Sequence, residues 1–177
     1  GLPTRLLDWT YSPYVALHFA TEDPTKSGKD GVIWCVNYQG IKEYLPQELQ
    51  ISMHKQGFKF TIDQLQHGIA DLSKLNKLYK KHGDFAIFLE PPSLDSRIVN
   101  QYALFSMMSS PKKLLNEWLE EHEDIDNLYH KVIIPAKLKW QIRDHLDQAN
   151  INERILFPGL DGLSSYLKRY YSSKDLH

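Results

Sequence analysis

Three short apolar runs stand far apart in this sequence, and helix-patterned segments fill the gaps between them. The runs are Gly31-Val-Ile-Trp-Cys-Val36, Phe85-Ala-Ile-Phe-Leu89 and His130-Lys-Val-Ile-Ile134, bounded by turn residues such as Pro91-Pro92 and Pro135. Runs of this length and residue type read as strands, the first two as buried ones. With helices interleaved throughout, the expected class is α+β, a small mixed sheet flanked by helices. At 177 residues the chain falls in the range of one domain.

The segments between the runs carry start and stop signals. Thr4 to Leu7 is extended, followed by a polar break at Asp8, Thr10 and Ser12. Ser12 is placed to cap a helix that Pro13 opens, and Val15, Ala16, Phe19 and Ala20 continue it to about Glu22. Thr61-Ile-Asp-Gln64 has the form of a capping box. The spacing of Leu65, Ile69, Leu72 and Tyr79 predicts one helix from there to about Lys81, stopped by Gly83. The stretch from Arg97 to Met108 fits helix or strand equally. Further helices are expected from Ser110-Pro111, burying Leu114, Leu115, Trp118 and Leu119, and from Ala136 to Gln148, burying Leu138, Ile142 and Leu146. The last, Leu160 to Tyr170, is expected to bury Leu160, Leu163 and Leu167.

Charge and cysteine content narrow the function classes. With 21 basic and 22 acidic side chains the net charge is −1, which disfavours holding nucleic acid by bulk charge. The lone Cys35 allows no internal disulfide and points to a reducing, cytoplasmic setting; among apolar neighbours it reads as buried filler. No apolar run approaches the roughly 18 residues that span a membrane. P-loop, Gly-x-Gly-x-x-Gly, Gly-x-Ser-x-Gly and His-Glu-x-x-His patterns are all absent, and the eight histidines include no pair at metal-binding spacing.

The densest polar cluster is Thr4, Arg5, Asp8, Trp9, Thr10, Tyr11 and Ser12, between a short strand and a helix N-terminus. Free N–H groups and the helix dipole there favour an anion such as a pyrophosphate. Arg5 would add a bidentate contact, and Trp9 or Tyr11 a flat ring for stacking. The competing reading is an Arg5–Asp8 pair that pins a turn, with Thr10 and Ser12 as caps. A second cluster is Arg97, Asn100 and Gln101. Gln101 suits a sugar hydroxyl or, equally, an unpaired backbone group. Glu90, at a strand end, is the nearest carboxylate for acid–base or oxocarbenium-stabilising work. Lys74, Lys77, Lys80 and Lys81 form either a solvated helix face or a nucleic-acid footprint.

Gly1-Leu-Pro-Thr-Arg-Leu-Leu-Asp-Trp-Thr10, Ser12-Pro13 and Ala16-Leu-x-Phe-Ala20 resemble the central motif of FRG domains. Arg97-Ile-Val-Asn-Gln101 with Phe105 resembles the family's Arg-Ile-x-x-Gln element, and Ile134-Pro135 through Leu156-Phe-Pro-x-Leu-Asp-Gly162 its closing segment. The Phe-Arg-Gly element that names the family precedes these motifs and is not in the chain. The resemblance thus implies a single FRG-like domain over residues 1–177, incomplete at its N-terminus. It also implies a bacterial or phage protein of defence or toxin type.

An arginine on a first strand, a Ser/Thr-rich strand leading into a helix and a later Glu or Gln is similar to the layout of ADP-ribosyltransferases. That similarity implies NAD as substrate, with no covalently bound cofactor. Thr10 and Ser12 would line the nicotinamide-ribose pocket, Arg5 and Asp8 would brace it, and Gln101 would stand at the catalytic position. Trp9 and Arg97 would complete the nucleotide contacts. Active transferases commonly carry Glu where Gln101 stands, and glutamine lacks the charge that stabilises an oxocarbenium-like state. Either Glu90 supplies that charge, or the domain is a non-catalytic ligand-sensing or interaction module.

Overall fold

A computed structural model describes residues 4–53, 59–93, 95–122 and 125–172; the first three residues of the opening motif lie outside them. In chain order the regular elements are β1 (Leu6–Thr10), α1 (Pro13–Thr21), β2 (Gly31–Val36), α2 (Tyr38–Ile41), α3 (Gln47–Met53), β3 (Phe60–Thr61) and α4 (Ile62–Gly68). They continue with α5 (Leu72–His82), β4 (Ala86–Glu90), α6 (Ser96–Asn100), β5 (Ala103–Met108), α7 (Leu115–Glu120) and α8 (Ile125–Leu128). The last are β6 (Tyr129–Ile134), α9 (Lys139–Gln148), α10 (Glu153–Leu156) and α11 (Leu160–Tyr170). The fold is α+β, with a mixed four-stranded sheet and a separate two-stranded one. The described chain divides into two compact units: residues 4–9, 36–92 and 104–130 form the first, and 10–35, 93–103 and 131–172 the second.

The first unit holds most of the four-stranded sheet, ordered β1-β5-β4-β3. β3 runs parallel to β4, and β4 antiparallel to β5 with Ala86 opposite Met108 and Phe88 opposite Ser106. β4 is an inner strand buried on both faces, which is why its sequence is an unbroken apolar run. Phe85, Ile87 and Leu89 join one cluster with Leu49, Met53, Phe60 and Leu75. Ala86 and Phe88 join another with Ile41, Leu104, Trp118 and Leu119. Burying Ile87, Phe88 and Leu89 contributes roughly 1.5–3 kcal/mol each, so this strand anchors both layers.

The expected long helix is two helices. The Thr61–Gln64 capping box forms in both directions, at 3.3 and 2.9 Å, and starts α4. The chain then breaks after Gly68. Ile69 turns into the core, and the Asp71 carboxylate accepts the Lys74 N–H at 2.8 Å to start α5. A second cap two residues past an apolar position outweighs continued periodicity, and it leaves Leu72 facing solvent. Gly83, at φ +82°, ends α5. The ambiguous stretch after Arg97 is helix and strand in succession: α6, then β5, with Tyr102 at φ +50° between them. β1 also runs through the expected polar break, to Thr10.

In the second unit α1 packs against α9, and α10 against α11. β2 pairs with β6. β2 is not the buried strand that its residues suggest, since Val32 and Cys35 are exposed; β6 is the expected third strand, with Val132 and Ile133 exposed. β-branched residues favour extended backbone whether or not a layer covers them, so composition alone overstates burial here. α9 follows a 3₁₀ turn at Ala136–Leu138 and buries Lys139, Arg143 and Leu146 rather than Leu138 and Ile142. α11 turns Gly162 inward and leaves Leu160, Leu163 and Leu167 outward. In the first unit Leu114 is likewise exposed, one residue before α7, while Leu115, Trp118 and Leu119 are buried. Among the described residues no helix is long and apolar enough to cross a membrane.

Candidate functional site

Within the second unit the polar turn ahead of α1 meets the end of α6. The Thr10 hydroxyl donates to the Gln101 main-chain carbonyl at 2.7 Å and accepts the Ser12 N–H at 3.1 Å. The Tyr11 N–H donates to the Tyr102 carbonyl at 3.1 Å. Ser12 caps α1, its hydroxyl accepting the Val15 N–H at 3.4 Å. Gln101 ends α6 and donates its side-chain amide to the Leu156 carbonyl at 2.8 Å, while Asn100 donates to the Ile155 carbonyl at 2.7 Å. Thr10, Ser12 and Gln101 thus belong to one hydrogen-bonded junction that also fixes α10. The exposed Arg97 guanidinium lies over the Phe157 ring, 4.9 Å from its centroid. Tyr102 holds a left-handed conformation that a bulky residue rarely adopts, with its ring largely exposed.

The first unit carries the other candidates. Arg5 donates to the carbonyls of Met108 at 3.2 Å and Ser109 at 2.6 Å, clamping the end of β5, and its Nε is buried without a partner. Its donors go to backbone rather than to Asp8, whose side chain is exposed on β1. Trp9 donates to the Ser106 hydroxyl at 2.8 Å and sets its ring against Phe88, with centroids 5.8 Å apart. Glu90, at the end of β4, is ion-paired with Lys59 at 2.8 Å. Lys74, Lys77, Lys80 and Lys81 are all exposed on α5, and Lys81 reaches Glu48 at 2.6 Å.

A third group escaped the sequence reading. Arg143 on α9 is buried between His18 and Glu153. It donates to His18 Nδ1 at 3.0 Å; arginine only donates, so the imidazole proton sits on Nε2, 3.4 Å from Glu22. Arg169 grips Asp147 with both terminal nitrogens, at 2.8 and 2.7 Å, and Glu153 through Nε at 2.8 Å. Burial alone would raise the Glu153 carboxyl, but hydrogen bonds from Arg169 and the charge of Arg143 overcome it and hold it down to about 2. Burial lowers Arg143, with the Glu153 charge opposing. The signal was present: Lys139, Arg143 and Leu146 stand at i, i+4 and i+7, so charges occupy core-facing positions of α9. Beside this cluster Thr21, Glu22, Lys139, Trp140, Arg143 and Arg169 line a cavity of about 10 Å³, room for a single water. None of the residues singled out in the sequence lines it, and it is far too small for a nucleotide.

Residues 1–29, the stretch that includes β1 and α1, match the family model of the FRG domain. The Arg97–Gln101 element and the segment from Ile134 to Gly162 lie outside the matched residues. No curated protein and no solved structure is matched by the chain.

Proposed function

We propose that this chain carries part of an NAD-binding, ADP-ribosyltransferase-like domain of a cytoplasmic bacterial or phage protein of defence or toxin type. The observation that supports the reading best is the 2.7 Å bond between Thr10 and Gln101, which joins the Ser/Thr-bearing turn to the distant glutamine. The turn leads into the nine-residue helix α1, whose N-terminal dipole favours a negatively charged group. Arg97 adds a cation on the same unit, and Tyr11 and Tyr102 add exposed rings for a flat base. The ligand is a small nucleotide that Thr10, Ser12, Arg97 and Gln101 would hold, with Arg5, Asp8 and Trp9 shaping the strand that leads to the turn.

Two features favour binding without cleavage. Gln101 carries no charge, and its amide is already engaged with the Leu156 carbonyl. Glu90, the alternative carboxylate, is paired with Lys59. A ligand-sensing module keeps a nucleotide pocket and needs neither group to stabilise a transition state. One experiment separates these readings: incubate the protein with NAD, follow the melting temperature, and quantify free nicotinamide. A shift with nicotinamide release identifies an enzyme, and a shift without release a sensor. No shift and no release sinks the NAD reading in both forms.

A further inference from the structure

In the second unit α1, α6, α10 and α9 are joined in turn by polar contacts, and the series closes on itself. The Thr10 hydroxyl, just before α1, donates to the Gln101 carbonyl at the end of α6. The Gln101 amide donates to the Leu156 carbonyl, the last of α10. At the other end of α10 the Glu153 carboxylate accepts from Arg143 of α9. Arg143 then donates to Nδ1 of His18, which lies on α1, and the ring is complete.

The far half of this ring is its firm half. His18 is fully buried, and Arg143 and Glu153 are 2% and 7% exposed. A guanidinium and a carboxylate at that depth cannot exchange each other for water, as a surface pair can, so they fix α9 against α10. Glu153 is held from a second side by Arg169. His18 is confined by Phe19, edge-on at 5.5 Å, and by Phe157 at 6.4 Å. The same Phe157 ring lies under the Arg97 guanidinium, 4.9 Å away.

We infer that His18, Arg143 and Glu153 are positioning residues for the candidate site, setting from behind where the turn before α1 stands against Gln101 and Arg97. The ring itself is independent of any ligand; its consequence for binding rests on the nucleotide reading of that turn. Among the described residues none of the three makes a hydrogen bond or ion pair with Thr10, Ser12, Arg97 or Gln101. They act through two helices. His18 holds α1, and Glu153 holds α10, whose Ile155 and Leu156 carbonyls receive Asn100 and Gln101. Opening the ring at one link frees the helix ends that form the junction, and a second break then adds little. Displacement of binding groups by a fraction of an ångström is enough to weaken what they hold.

A double-mutant cycle on the full chain, read by urea unfolding, tests this. Thr10→Val opens the ring at the junction. His18→Phe opens it at the buried end and keeps an aromatic ring beside Phe19 and Phe157. Residues with no shared contact multiply their effects on the unfolding constant to within about twofold. The ring instead predicts a double variant at least about fivefold less destabilised than the product of the two single effects. Multiplicative effects overturn the inference, because a purely structural loss at His18 would be indifferent to Thr10. Should His18→Phe fail to fold, Arg143→Lys replaces it in the cycle, keeping the charge but unable to span His18 and Glu153 together. NAD supplies a second arm: His18→Phe should raise its dissociation constant at least about fivefold although His18 lies behind the site. An unchanged constant overturns the positioning role. A wild-type chain that ignores NAD sinks the nucleotide reading, and the ligand-free cycle then decides this inference alone.

Discussion

The hydroxyl of Thr10 reaches the main-chain carbonyl of Gln101 at 2.7 Å although 91 positions separate them in the chain. The same oxygen accepts the Ser12 N–H, so one small side chain closes both the entry to α1 and the exit from α6.

Replacing Thr10 with valine keeps the shape and removes both bonds. The half-buried Gln101 carbonyl then loses its donor and the Ser12 N–H its acceptor. The expected cost is about 1–3 kcal/mol, read as a lower urea midpoint with unchanged slope. NAD-induced stabilisation, if present in the wild type, should fall with it. Retention of both would show the junction to be dispensable.

Glutamate at position 101 makes a sharper test. In an active transferase the carboxylate is the useful group. Here it would face the Leu156 carbonyl, which now accepts from the glutamine amide. Gln101→Glu is expected to destabilise the protein by about 1–3 kcal/mol at neutral pH. It should not create nicotinamide release. Release from this variant with undiminished stability would reverse the preference for a sensing module.

Acid should loosen the second unit through Glu153. Its folded-state value is about 2 against an ordinary 4.5, so between those limits the unfolded chain binds the extra proton. Stability from this group is complete above pH 4.5 and is lost as pH falls towards 2, in total about 3 kcal/mol. Glu153→Gln strands Arg143, which is buried, and should cost about 3–5 kcal/mol at pH 7. It should also flatten the acid limb of a stability–pH curve. An unaltered limb would assign acid sensitivity to other carboxylates.

Gly162→Ala raises helix propensity by about 1 kcal/mol, yet it should destabilise. The added methyl meets two backbone oxygens at 1.9 and 2.6 Å, neither of which can yield like a flexible side chain. A net loss of at least about 2 kcal/mol is expected from thermal melts. A gain would mean that α10 and α11 separate more readily than their packing indicates.

What could be read from the chain depended on how many partners each residue serves. β4 was legible because both its faces are buried and an unbroken apolar run admits few alternatives. The caps at Ser12 and Thr61 were legible because capping involves neighbours three residues away. The break at Asp71 was not, since a second cap hides inside an intact apolar period. The outward stripe of α11 and the exposure of β2 were invisible for a different reason: amphipathic pattern tells which residues share a face, not which way that face points. Of the candidate residues, Thr10, Ser12 and Gln101 proved to be neighbours in a way no local pattern could reveal. The Arg143–Glu153–Arg169 cluster went unread because its members come from three helices.

The thiol of Cys35 stands exposed on β2 in a sequence with no other cysteine. A single maleimide dye can therefore be attached at one known point of the second unit with no mutagenesis. The intrinsic fluorescence comes from Trp9 and Trp118 in the first unit together with Trp34 and Trp140 in the second. With Trp34 and Trp140 replaced by phenylalanine, comparing the unfolding midpoints of dye and remaining tryptophan would tell whether the two halves of this molecule melt as one body or in turn.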